Sequence, residues 1–386
     1  MMEKILVIGL DCATPQLLFE QFAPDLPNLR ALWQKGTKAK MLSTIPPITV
    51  PAWTSMMTSK DPGQLGFYGF RNRAGYDYEN LYFANARYVK EKTVWNYLNR
   101  NRMPALCFGI PQTYPPKPIN GIMVGCFLTP DKNADFTYPS ELKAELDQAA
   151  DGDYIIDIKD FRTDKKDRLL EQIYVMTERR FKAFRHFYKK DEWPFAMMVE
   201  MGIDRIHHGF WRYFDRGHRL FEPGNKYENA IRDYYIFVDR KIGELLNELD
   251  GKTSVMVVSD HGAKRMEGAI CVNEWLAKMG WLKLKDHPQN QTKFKMEMVD
   301  WEHTRAWSEG GYYARVFCNV QGREPQGRIP PSDYEKFRDE LKAALEAITD
   351  ESGHNIGTLV FKPQDIYKQV KNIPPDLIVH FGNLDW

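Results

Sequence analysis

Ile5-Leu6-Val7-Ile8-Gly9-Leu10-Asp11 is a short apolar run closed by an aspartate, and the chain uses this arrangement twice more. Phe195–Val199 leads to Asp204, and Ser254–Val258 leads to Asp260-His261. Each run has the length and composition of a buried strand. In an α/β protein such strands lie side by side, and their carboxyl ends share one rim where ligands bind. A rim that gathers three aspartates and several histidines suits hard or borderline metal ions. The first expectation is therefore a metal-dependent enzyme.

The segments around these runs set the fold class. Residues 1–130 alternate strand-like and helix-like stretches: a helix opened by Leu26-Pro27-Asn28, a helix ending at Trp95–Asn101, then a strand at Ala105–Ile110. This alternation predicts an α/β fold with a mostly parallel central sheet covered by helices. Pro139–Gln148 and Lys166–Tyr188 carry apolar residues three and four apart among dense charge, which predicts amphipathic helices. Tyr227–Leu249 reads as a long helix with Gly251 just past its end. Ser332–Ile348 reads as another helix, and Leu377–Phe381 as a final strand. The expected division is a catalytic core of 1–130, 193–263 and 332–386. A helical insertion, 131–192, would partly cover the sheet rim, and 264–331 would form a second, less regular one.

Composition excludes several classes. Lys and Arg total 53 against 52 Asp and Glu, so no chain-wide attraction to duplex nucleic acid or acidic membranes is expected. No stretch approaches the roughly 20 apolar residues of a membrane helix. The Met1–Lys4 lead-in and the run after it are too short for a signal peptide. Five scattered cysteines without a C-x-x-C pair point away from a disulfide framework and towards the reducing cytoplasm.

Asp204 and His208 are one helical turn apart, so both can reach one face and share a divalent ion. The same spacing also fits a helix cap beside a packed histidine. Gly262 after Asp260-His261 allows a sharp turn that aims both side chains at one cavity. Ser43–Ser55 contains Pro46-Pro47 and Pro51, stiff turns on either side of Thr49 ahead of a helix predicted at Ala52–Met57. A hydroxyl at such a helix start sits where backbone N–H groups favour negative charge, a good place for an alkoxide and an incoming phosphate. It is also where an ordinary N-cap threonine would sit. Arg205, Arg305 and Lys60 are candidates for holding phosphate, though each reads more simply as a solvated surface cation.

Taken together, Val7–Asp11, Leu26–Leu32, Ser43–Thr58 with Pro62-Gly63 and Gly66, Val199–His208 and Val257–Gly262 resemble a known family in its own order. This is the type I phosphodiesterase/nucleotide pyrophosphatase branch of the alkaline phosphatase superfamily, nearest to its bacterial and archaeal predicted phosphohydrolases. Weaker similarity runs through Ile110–Tyr114, Asp300–Ala306, Gly322–Glu324 and Pro375–Val379, so nearly the whole chain is covered. The resemblance implies a three-layer α/β/α sandwich and two divalent metal ions, zinc or manganese. By matching positions, one ion would be held by Asp11, Thr49, Asp260 and His261. The other would be held by Asp204, His208 and a third histidine. Thr49 would be the nucleophile, a phosphothreonine the intermediate, and a small-molecule phosphate ester or nucleotide the substrate.

Two departures stand out. The family often has glycine after the first aspartate, where this chain has Cys12; that change matters if the position needs a positive φ. In relatives the third histidine lies beyond the stretch matching Pro375–Phe381, and this sequence stops at Trp386. The expectation is a missing C-terminal part of the core, or substitution by His303 or His380, each of which reads first as structural or surface. His207 would point away from His208 and support the site from behind. A sulfatase is disfavoured, because Thr49-Val50-Pro51-Ala52-Trp53 lacks the modified Cys or Ser and the arginine of that motif. The alternatives kept open are a phosphoglycerate mutase-like phosphotransferase and a binding protein that retains the fold without catalysis.

Overall fold

Lys4–Leu10 forms the strand its apolar run predicts, in a computed structural model that describes residues 4–386. The rest of the Met1–Lys4 lead-in, residues 1–3, lies outside the described residues. The strand is buried from Leu6 to Leu10 because it is flanked on both sides. It pairs in parallel with Phe195–Glu200, Ile5 opposite Phe195 and Leu10 opposite Glu200. On its other side it pairs in parallel with Thr253–Val258, Ile5 opposite Ser254 and Gly9 opposite Val258. Across the sheet the order is Thr137–Tyr138, Gly121–Val124, Ala105–Phe108, Phe195–Glu200, Lys4–Leu10, Thr253–Val258. Only the short Thr137–Tyr138 strand runs antiparallel to its neighbour. Phe195–Glu200 is buried at every residue, as a strand covered on both faces must be. Thr253–Val258 occupies the sheet edge and exposes Ser254 and Met256.

Helices pack around this sheet through the apolar stripes the sequence predicts. Lys166–Tyr188 buries Leu169, Ile173, Met176, Phe181, Phe184 and Phe187 in the same core as the strands. Helix Pro27–Lys35 has its first free N–H groups satisfied by another helix: Asp239 of Ala230–Leu246 accepts from the Asn28 and Leu29 backbone at 3.2 and 2.8 Å. The chain is thus α/β with a mostly parallel central sheet, as expected.

The division into parts differs from the expected one. One compact unit runs to Lys60 and resumes over Asn85–Arg265; the other comprises Asp61–Ala84 and Met266–Trp386. Residues 131–192 contribute the strand Thr137–Tyr138 and a core helix to the first unit. Residues 332–386 do not join the central sheet. Leu377–His380 pairs antiparallel with Ala314–Cys318 and Leu359–Phe361, and Ala306–Glu309 completes that second sheet. Helix Tyr334–Glu346 covers it with Phe337, Leu341 and Leu345. The stretch 264–331, expected to be irregular, supplies two strands of this sheet and the helix Val272–Lys278. A short apolar run announces a strand but not its sheet, which is why the final strand fitted either assignment.

Candidate metal centre

Asp11 follows its strand directly. Its N–H donates to the Glu200 carbonyl of the neighbouring strand at 3.0 Å, and its Oδ2 accepts from Trp53 Nε1 at 2.7 Å. That indole reaches the strand because residue 9 is glycine: a Cβ there would lie 2.5 Å from the Trp53 ring. Cys12 then turns the chain with φ +66°, so the position does require the left-handed conformation. The turn aims the Cys12 N–H at Asp260 Oδ1, 3.2 Å away. Ser43 donates to the Asp260 carbonyl at 2.5 Å, and Ser259 Oγ accepts from the Ala13 N–H at 3.0 Å. The loops after the first and last strands of the site are therefore cross-linked by hydrogen bonds.

Thr49 is the first residue of helix Thr49–Thr58, which starts three residues earlier than predicted. Ile48 caps it in an extended conformation. Thr49 and Trp53 lie one turn apart, so a single helix carries the hydroxyl and the clamp on Asp11. Thr49 Oγ1 is 3.1 Å from His261 Nε2. The other ring nitrogen, Nδ1, lies 3.0 Å from the Gly262 carbonyl. Assigning the proton to Nδ1 gives the tautomer in which Nε2 is a free ligand atom.

Asp204 and His208 share a face of helix Gly202–Phe214, with His208 Nε2 3.4 Å from Asp204 Oδ1. The second Asp204 oxygen meets the guanidinium of Arg205. Arg205 is buried, which corrects the expectation of a solvated surface cation. It is gripped by both oxygens of Asp157, at 2.9 and 2.7 Å, and lies over the Phe161 ring at 4.5 Å. Arg305 packs on Phe337 in the second unit, 4.0 Å from the ring centre. His207 is buried, with Nδ1 3.5 Å from Cys12 Sγ and Nε2 3.3 Å from the Tyr235 hydroxyl. Burial pushes its pKa down to about 3 and keeps it neutral.

The structure brings Asp11, Asp204 and His261 together, their ligand atoms all within 4.8 Å of one another. Thr49 and Asp260 join through His261, whose Nε2 is 3.3 Å from Asp260 Oδ2 and 3.5 Å from Asp11 Oδ1. His208 joins through Asp204. The two candidates for a third histidine belong to the second unit. His303 is exposed and pairs with Asp300 at 2.9 Å, while His380 is buried beside the Phe361 ring.

Buried carboxylates crowd one another at this rim. Burial, and then the charge of Asp260, push the Asp11 carboxyl well above its ordinary range. Burial likewise raises Asp260. Burial opposes charge on His261, yet Asp260, Cys12 and Asp11 hold its pKa well above the ordinary value. Burial would also raise Asp204, but His208, Arg205 and His261 hold it below the usual carboxylate range. Asp11 Oδ1 and Asp260 Oδ2 are buried without a hydrogen bond. Bare carboxylate oxygens facing an imidazole nitrogen form a donor set that fits a divalent ion. Sequence reasoning missed Trp53, Ser43, Ser259, Glu200 and Asp157. Only Trp53 left a signal, its one-turn spacing from Thr49.

Comparison with known proteins bears on the fold and the family. No curated protein matches the sequence. Among solved structures, phosphonoacetate hydrolase from Sinorhizobium meliloti 1021 in complex with phosphonoformate superposes with a TM-score of 0.61 at 15% identity. The match covers 98% of this chain and 81% of that one. Murine ectonucleotide pyrophosphatase/phosphodiesterase 5 gives 0.51 at 14% identity, over 98% of this chain and 79% of that one. These similarities establish an alkaline phosphatase-like fold. The model of the family described as "Type I phosphodiesterase / nucleotide pyrophosphatase" matches residues 5–386. With that match over essentially its entire length, the chain belongs to the type I phosphodiesterase/nucleotide pyrophosphatase family and is a hydrolase of phosphate esters.

Proposed function

We propose that the chain hydrolyses a small-molecule phosphate ester or nucleotide in two steps through Thr49. In the first, Thr49 Oγ loses its proton and bonds to phosphorus as the ester oxygen departs, the proton ending on the departing alcohol, which leaves a phosphorylated threonine. In the second, water takes the phosphoryl group and restores the hydroxyl. Asp11, Thr49, Asp260 and His261 would hold one divalent ion, zinc or manganese, and Asp204 and His208 would contribute to a second. When bound, these ions supply charge that lowers the hydroxyl's pKa and stabilises the phosphate oxygens. The helix start beneath Thr49 contributes N–H groups and dipole that favour the same negative charge.

One observation carries the reading: Thr49 Oγ1 sits 3.1 Å from His261 Nε2, beside buried carboxylate oxygens that have no hydrogen bond. The Asp11–Asp204–His261 cluster supports two neighbouring donor sets, since it draws from both. All five cysteines are free, which supports a cytoplasmic setting. Among the described residues no helix is long and apolar enough to cross a membrane.

The test is hydrolysis of a p-nitrophenyl phosphodiester with Mn²⁺ or Zn²⁺, comparing wild type with Thr49→Ala. Loss of the nucleophile should lower turnover by on the order of 10³-fold or more. Acid quenching during turnover should trap on Thr49 a phosphoryl group that still carries the diester's second ester. Equal rates for the two proteins would remove Thr49 from the chemistry.

A further inference from the structure

Gly202, the first residue of the helix that bears Asp204 and His208, is surrounded by polar atoms. A Cβ added there would lie 1.8 Å from the Tyr234 hydroxyl, 2.5 Å from Glu200 Oε1 and 2.8 Å from Thr177 Oγ1. These three side chains form a buried knot. Glu200 Oε1 accepts from Thr177 Oγ1 at 2.8 Å, from the Tyr234 hydroxyl at 3.0 Å and from the Gly202 N–H at 2.5 Å. Thr177 Oγ1 and the Tyr234 hydroxyl lie 2.6 Å apart, so two hydroxyl protons are shared among three contacts in the knot. Glu200 and Thr177 are fully buried, as is Tyr234. Thr177 belongs to helix Lys166–Tyr188 and Tyr234 to helix Ala230–Leu246, so two core helices fix the carboxylate from outside. No cap side chain holds the helix start at Met201; the Glu200 carboxylate takes the N–H at Gly202 instead, where a negative charge also favours the dipole.

Glu200 has a second attachment. Its own carbonyl accepts the Asp11 N–H at 3.0 Å. One residue thus grips the backbone beside Asp11 with its main chain and the start of the Asp204 helix with its side chain. We propose that Glu200, held by Thr177 and Tyr234, is a positioning residue that sets the distance between Asp11 and Asp204 and so tunes affinity for divalent ions. None of the three touches the ligand atoms. Their action runs through the backbone, and the single-atom side chain of Gly202 is what makes room for it.

The inference rests on the reading of Asp11 and Asp204 as metal ligands, and the experiment separates the two. Mn²⁺ and Zn²⁺ are titrated calorimetrically into chelator-treated full-length protein, as wild type, Glu200→Gln, Thr177→Val and Tyr234→Phe, with folding followed by circular dichroism. Leu341→Ala, in the core of the second unit, is the control for destabilisation without contact to the knot. Affinity should fall about 10- to 100-fold in Glu200→Gln, the range found when groups behind metal ligands are altered. Tyr234→Phe should show a smaller loss in the same direction, and Leu341→Ala none. Wild-type affinity in folded Glu200→Gln and Thr177→Val overturns the positioning role. Absence of ion binding by the wild type overturns the metal reading, and this inference with it.

Discussion

At the scale of single residues, Cys12 holds a conformation that side chains usually avoid, at φ +66°. A non-glycine residue there carries a strain of about 1 kcal/mol, more for a β-branched one. Cys12→Gly should therefore retain metal binding, whereas Cys12→Val should lose about 2 kcal/mol of stability or more and weaken it, as read by urea unfolding and metal titration. A valine variant as stable as wild type would refute the backbone argument. His380 supports a prediction on pH. Burial lowers its pKa to about 4 from an ordinary 6.5. The unfolded chain takes up a proton below pH 6.5 that the folded chain refuses until about pH 4. Stability should thus fall on acidification through that window, by at most about 3 kcal/mol from this group. His380→Phe should flatten that part of the profile between pH 4 and 6.5; an unchanged slope would assign the acid sensitivity elsewhere. Asp11, Asp204, Asp260 and His261 were legible in the sequence because each ends or follows an apolar run. The depth at which Arg205 is buried was not legible, because a cation's burial depends on partners such as Asp157, 48 positions away.

Whole elements tell a related story. The first strand and helix Thr49–Thr58 meet where Gly9 admits the Trp53 indole, which in turn holds Asp11. Gly9→Ala should force these elements apart and cost about 1–3 kcal/mol, the usual range for overpacking. Trp53→Phe keeps most of the packing but removes the N–H donor to Asp11. It should lower metal affinity with a smaller effect on the unfolding midpoint. Equal metal affinity in wild type and Trp53→Phe would show that the indole only fills space. Helices with strong apolar periodicity were readable, Lys166–Tyr188 to the residue and that expected at Tyr227–Leu249 to within three, observed as Ala230–Leu246. The start of helix Thr49–Thr58 was misplaced because Pro51 reads as a turn, although proline is tolerated in a first helical turn. Of the second sheet only Leu377–His380 was legible; Ala306–Glu309 and Leu359–Phe361 are too short to leave a pattern.

For the molecule as a whole, the proposed ligands all fall in one of its two units. Divalent ions should therefore stabilise that unit by mass action, about 2.7 kcal/mol at a free concentration 100 times Kd. Hydrogen exchange should slow in Lys4–Leu10 and Thr253–Val258 on adding Mn²⁺, and chelator should reverse it. Protection confined to the second unit's sheet would place the ions elsewhere. The fold class was legible at this scale because β/α alternation reflects local chemistry, whereas the boundary between units depends on which distant strands pair. The parallel register of the central sheet has a consequence for biosynthesis. Ile5 lies between Phe195 and Ser254, so its strand waits for two that are made much later before either flank is covered. Such long-range closure is slow, and the waiting edge is exposed to wrong partners. Asp11 is translated long before Asp260, so a nascent chain can bring the pair proposed to hold the first ion together only after both strands have emerged.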